Sequence, residues 1–145
     1  MAVTGDRTPA TGDAHHGDLP WQGDACSLVE AFRRGERSPV EELELVYRAI
    51  ESSDLNAFGH LDPERAFSAA RSADVTLPFG GVPVGVKELD QVAGWPDTEA
   101  SVPLSHRISG YSSVMVDRLE AAGSVLVGQT TASEFGGVNV TRTVL

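Results

Sequence analysis

Near residue 125 the chain reads Ser124-Val125-Leu126-Val127-Gly128, an apolar run directly behind a segment of helical periodicity. A short, uninterrupted, β-branched run needs apolar cover on both faces, which helices supply on either side of a parallel sheet. No other feature constrains the fold as strongly. The chain must hold at least one more strand, and helices long enough to lie across the sheet.

Both are present. Ser38-Pro39-Val40-Glu41 starts a helix, with an N-cap serine, a proline at the first helical position and a glutamate that completes a capping box. Val40, Leu43, Val46, Tyr47 and Ile50 then recur at helical spacing as an apolar face. Glu41, Glu42, Glu44 and Glu51 form the solvated side, with Arg48 spaced to pair with Glu44. Residues 27–34 predict a shorter helix stopped by Gly35. Asp62-Pro63-Glu64 opens another, whose Ala66, Phe67, Ala69, Ala70 and Ala73 offer small residues for close packing. Val82-Pro83-Val84-Gly85-Val86-Lys87 reads as a strand whose regular pairing begins only after Pro83, since proline has no amide hydrogen. Residues 94–105 read as loop. A last helix over residues 112–122 turns Met115, Leu119 and Ala122 inward, flanked by Val114 and Val116, and ends at Gly123. Helices and strands in alternation predict an α/β fold.

Residues 1–24 are poor in aliphatic side chains and lack either periodicity, so they predict a mobile tail, with Trp21 the first residue to dock. The adjacent His15 and His16 have no further ligand at metal spacing and belong to that solvated tail. The folded domain is expected over residues 25–145. No apolar run approaches the roughly 18–20 residues of a membrane span, and no signal peptide opens the chain. One cysteine in 145 residues points to a reducing compartment, the cytoplasm. A formal charge of −10 argues against gripping phosphate backbones. No nucleic acid, membrane, metal or cofactor is therefore expected.

Gly81-Val82-Pro83-Val84-Gly85-Val86-Lys87 has a glycine-rich look. However, Val86 separates the last glycine from the lysine and Glu88 follows it, so it is no phosphate-binding loop. Asn139-Val140-Thr141 is an accidental glycosylation sequon in a cytoplasmic chain. Cys26 reads as a buried or loop thiol rather than a nucleophile. Lys87 admits two roles. An amine carried to the end of an apolar strand can lose its proton and serve as a general base beside a serine. Alternatively it snorkels to solvent and pairs with Glu88 or Asp90.

The surrounding residues bear on that choice. Leu77-Pro78-Phe79-Gly80-Gly81-Val82-Pro83-Val84-Gly85-Val86-Lys87-Glu88 resembles the segment G-P-L-x-G-I-P-V-x-V-K-D around the catalytic lysine of the amidase signature family. Leu55-Asn56-Ala57-Phe58 and Ala69-Ala70-Arg71-Ser72-Ala73-Asp74 resemble its loop after an early helix and its next helix end. The stretch from Val116 through Gly123 and Gly128 to Thr130 is similar to the helix, glycine and strand leading to its G-K-T-N. Ser133-Glu134-Phe135 resembles the S-E-F that follows. The likeness spans residues 26–137, with these motifs in the family's order.

The resemblance implies the opening helices and first strands of that family's mixed sheet. It also implies hydrolysis of carbon–nitrogen bonds in small-molecule amides by a Ser–cis-Ser–Lys triad. Lys87 falls on the family's lysine, the base of the relay. The bridging serine's Gly-Gly-Ser-Ser-Gly-Gly stretch and the nucleophile's second glycine-rich segment have no counterpart here. Ser101, Ser105, Ser112, Ser113, Ser124 and Ser133 all lack that setting. Glu88 and Gln129 replace the usual Asp and Lys. The expectation is therefore a truncated chain, about the first third of such an enzyme, inactive alone. Two further possibilities stand beside it. One is a non-catalytic module whose open Val125-Leu126-Val127 edge pairs with a separate chain carrying the remainder. The other is a piece of the A-type subunit of a glutamyl-tRNA(Gln) amidotransferase.

Overall fold

The computed structural model describes residues 17–138 and Thr141. Most of the expected tail, the His15–His16 pair and the first two residues of the sequon lie outside the described residues. The apolar run is β3 (Val125–Thr130), the middle strand of a three-stranded sheet with order β1-β3-β2. It runs parallel to β2 (Pro83–Lys87) and antiparallel to β1 (Phe58–Leu61), so the sheet is mixed. Both its faces are covered. Val125 and Val127 pack on Leu43 and Tyr47 of α2 (Pro39–Glu51) and on Ala66 and Ala70 of α3 (Pro63–Arg71). On the other side Leu126 joins Val86, Val92, Trp95 and Val116, the last from α4 (Val114–Ala121). Leu28, Val29 and Phe32 of α1 (Ala25–Arg33) close over Val82.

The helix starts follow their caps. Ser38 accepts from the Glu41 amide while the Glu41 carboxylate accepts from the Ser38 amide, the complete capping box. Asp24 caps α1 through the Ser27 amide, which begins that helix two residues before the predicted start. Gly35, at φ 68°, follows its C-cap.

Several expectations are corrected. β1 was not foreseen, because Phe-Gly-His-Leu is short and carries a glycine and a histidine. Its presence means that Val125-Leu126-Val127 is not an open edge; the edges are β1 and β2. Pairing in β2 begins at Pro83 itself, opposite Val125, because the carbonyl of Val82 takes the Val125 amide and no donor is asked of the proline. In α2, Leu45 and Glu42 are buried, while Val40, Val46 and Ile50 are only partly so. Glu42 therefore leaves the solvated face, and Glu44 and Arg48 do not pair. In α4 only Val116 is buried. Val114 and Met115 face outward, since Val92 and Trp95 already fill that side of the sheet. The 94–105 loop contains a 3-10 turn, Val102–Leu104, and a bridge between Pro96 and Ile108. Cys26 is neither buried nor in a loop; it lies exposed on α1. No helix among the described residues is long and apolar enough to cross a membrane.

Two contacts fix the centre of the sheet. A Cβ at Gly128 would stand 2.2 Å from the His60 carbonyl oxygen, where β1 shifts register against β3. Tyr47 reaches from α2 and donates its hydroxyl to the Val127 carbonyl at 2.9 Å, an oxygen that also accepts from the Asp62 amide. Burial, helped by the Asp62 carboxylate, pushes the Tyr47 phenol up to about 12. The raised value stabilises the fold fully below the unfolded tyrosine pKa of about 10, and that share is lost as pH climbs toward 12. Tyr47→Phe is expected to cost about 1 kcal/mol at neutral pH, because Val127 keeps one donor. It should also flatten the alkaline loss of stability, measured by urea unfolding at pH 7 and pH 11.

Candidate active site

Lys87 is the last residue of β2, opposite Thr130. Just beyond that register the Glu88 amide donates to the Thr130 carbonyl at 3.0 Å, which holds the two strand ends together. The chain after β3 then folds back across β2's end. The Lys87 ammonium donates to the carbonyl oxygen of Thr131, while the Thr131 amide is anchored on the Ala57 carbonyl at 2.9 Å. Lys87 is exposed, as snorkelling requires, yet it forms no ion pair with Glu88 or Asp90. A backbone carbonyl orients it instead. It borders a cavity of about 240 Å³ together with Leu89, Ala132, Ser133, Gly136 and Val138.

The serines have other work. Ser133 donates to the Val138 carbonyl at 2.7 Å and accepts from its amide, closing the loop beside Lys87. Ser101, buried, donates to the Glu134 carboxylate at 2.7 Å. Ser113 caps α4, and Ser112 accepts from the Ala93 amide. Ser124 is buried at the start of β3 with its hydroxyl unpartnered. The structure thus brings Ser133 to Lys87 but commits its hydroxyl locally. Ser105 lies at the C-terminal end of the Val102–Leu104 turn, away from Lys87.

Sequence reading missed the neighbouring junction. Glu99, Ala100 and Phe135 adopt left-handed backbone angles, φ 49°, 54° and 51°. The Phe135 amide donates to the Glu99 carbonyl at 2.9 Å, joining the two strained turns. Arg107 ties the first turn down through the Asp97 carbonyl and the Glu99 carboxylate, and the Glu99 and Asp97 carboxylates raise its already high pKa further. Nothing in the composition of Thr98-Glu99-Ala100-Ser101 signals this, because left-handed turns are expected at Gly or Asn.

Ten of the eleven basic residues are arginine, and Lys87 is the only lysine in the chain. Arginine stays protonated throughout the physiological range. Among the described residues no three His, Cys, Asp or Glu side chains come together as a metal ion would need. Away from the site, His60 stacks edge-on against Trp95, whose indole donates to Asp62 at 2.8 Å. Burial lowers the His60 pKa against the opposing pull of Asp62.

Residues 41–144 match the family model described as Amidase. The A-type subunit of glutamyl-tRNA(Gln) amidotransferase from Methylacidiphilum infernorum is 38% identical over 102 residues, covering 69% of this chain and 21% of that one. Its counterpart in Akkermansia muciniphila is 36% identical, covering 79% and 24%. Among solved structures, 6-aminohexanoate cyclic dimer hydrolase complexed with substrate superposes with TM-score 0.77 at 26% identity, over 84% of this chain and 26% of that one. The matched part of the chain thus spans about a fifth to a quarter of the length of the curated relatives.

Proposed function

The chain belongs to the amidase family, and from that premise we propose that it contributes the base of a Ser–cis-Ser–Lys relay that hydrolyses amide bonds. Lys87 is that base. The observation that carries the reading is the single lysine of the chain, set at a strand end beside a cavity and oriented by the Thr131 carbonyl. Of the chain's eleven basic residues, only this one can give up its proton. A neutral amine there takes a proton from a bridging serine, which in turn deprotonates the nucleophilic serine. That oxygen attacks the amide carbonyl, the acyl-enzyme forms, the amine leaves protonated, and water releases the acid. Neither serine of the relay lies within residues 1–145, so these residues alone supply one member of three.

The substrate reading leans on the relatives. A-type amidotransferase subunits match at 33–38% identity, above the 21–28% of similar solved structures. Glutamine is accordingly the first amide to test, with a simple aliphatic amide as the general alternative. The cytoplasm is the proposed location, where the exposed Cys26 thiol stays reduced. The partner is a polypeptide carrying the serine-bearing remainder of the fold.

The test is ammonia release by the 145-residue chain, alone and co-expressed with the unmatched remainder of the Methylacidiphilum infernorum relative. Alone, the chain should release ammonia at background, because losing the nucleophile from a serine relay costs on the order of 10⁶ in rate. Complemented, it should turn over well above background. Robust activity of the isolated chain, abolished by Lys87→Ala, would overturn the reading.

A further inference from the structure

Four non-glycine residues among the described ones have positive φ, and three of them meet at one place. Glu99 and Ala100 form one left-handed turn and Phe135 another, joined by the Phe135 amide on the Glu99 carbonyl. Such angles are costly for residues with a Cβ and persist only where the surroundings over-determine them. Here they do. Ser101 is 2% exposed and holds the Glu134 carboxylate, and Arg107 grips the Asp97 carbonyl and Glu99. Glu134 and Phe135 lie only three and four residues beyond Thr131, whose carbonyl takes the Lys87 ammonium. Ala132 and Ser133, between them, are buried, so a shift at one end of that short segment is passed to the other.

We propose that the Ser101–Glu134 clip is a positioning device that fixes the Thr131 carbonyl and so aims the Lys87 ammonium into its cavity. The proposal rests on the reading of Lys87 as the relay's base for its meaning, but not for its test. Neither Ser101 nor Glu134 touches the reacting atoms in this scheme; each acts through the loop.

A single lysine makes the question directly readable. Protein grown with ¹³C,¹⁵N-lysine yields one Nζ signal, whose chemical shift at fixed pH reports the surroundings of Lys87 alone. Ser101→Ala leaves a carboxylate already at the surface, so the fold is retained. Its Lys87 Nζ signal is expected to move away from the parent's position as the Thr131 carbonyl is released. Exchange of the Phe135 amide should quicken about tenfold as the junction loosens. Glu134→Ala should do the same, whereas Glu134→Gln keeps an acceptor for the serine hydroxyl and should keep the parent's lysine signal. Ala100→Gly, which adopts the same backbone angle without strain, should also leave Lys87 unchanged. An unmoved lysine signal in folded Ser101→Ala overturns the proposal. So does Glu134→Gln behaving like Glu134→Ala, which would make charge rather than geometry the cause. Failure of the base reading would appear in the amide assay and leave these lysine signals untouched.

Discussion

Lys87→Ala in the complemented enzyme is expected to lower kcat/KM for amide hydrolysis by about 10²–10⁴-fold, the range for loss of a positioned general base. Lys87→Arg separates the chemistry from the charge. Arginine can still donate to the Thr131 carbonyl and still carries a positive charge, so a structural cation would be rescued by it. A base would not, because the guanidinium does not give up its proton near neutral pH. Both variants should therefore be equally poor in ammonia release while unfolding at the same urea concentration as the parent. Retention of more than about a tenth of the parent rate by Lys87→Arg would remove Lys87 from the relay.

Lys87 could be picked out of the sequence because its signal is a contrast. A lone cation closing a five-residue apolar strand is visible without knowing where the chain goes next, and the motifs around it set it in a family's order. The capping residues were legible for a similar reason, since a cap is a local pattern of about four residues. What stayed hidden was non-local. The Thr131 carbonyl that orients Lys87 lies 44 positions away and offers only backbone. The Ser101–Glu134 clip joins residues 33 apart, each of a type common on any surface. β1 escaped because its four residues gain their strand character from pairing with β3, not from their own propensity. The outward turn of Val114 and Met115 depends on Val92 and Trp95 occupying the sheet face first, which no periodicity within α4 could reveal.

Glu42 shows the same limit in energetic form, and its replacement is the largest stability change expected. In the sequence it is one of four acidic residues on a helix flank. In the structure it is 2% exposed and accepts twice: from the Trp21 amide at 2.8 Å and from Arg37 at 2.6 Å. Arg37 also donates to the Leu19 carbonyl at 3.0 Å and lies over the Trp21 ring. The carboxylate thus fastens residues 19–21 onto the start of α2, and Trp21 in turn reaches Ser27 of α1 through its indole nitrogen at 2.9 Å. Removing one partner of a buried pair strips the other of its compensation, so Glu42→Ala is expected to cost about 3 kcal/mol. Glu42→Gln keeps an acceptor for the Trp21 amide and should cost less. Urea unfolding gives the energies, and limited proteolysis ahead of α1 reports whether the segment has come loose. A loss below about 0.5 kcal/mol for Glu42→Ala, as for an ordinary surface side chain, would show that this carboxylate does not hold the segment down.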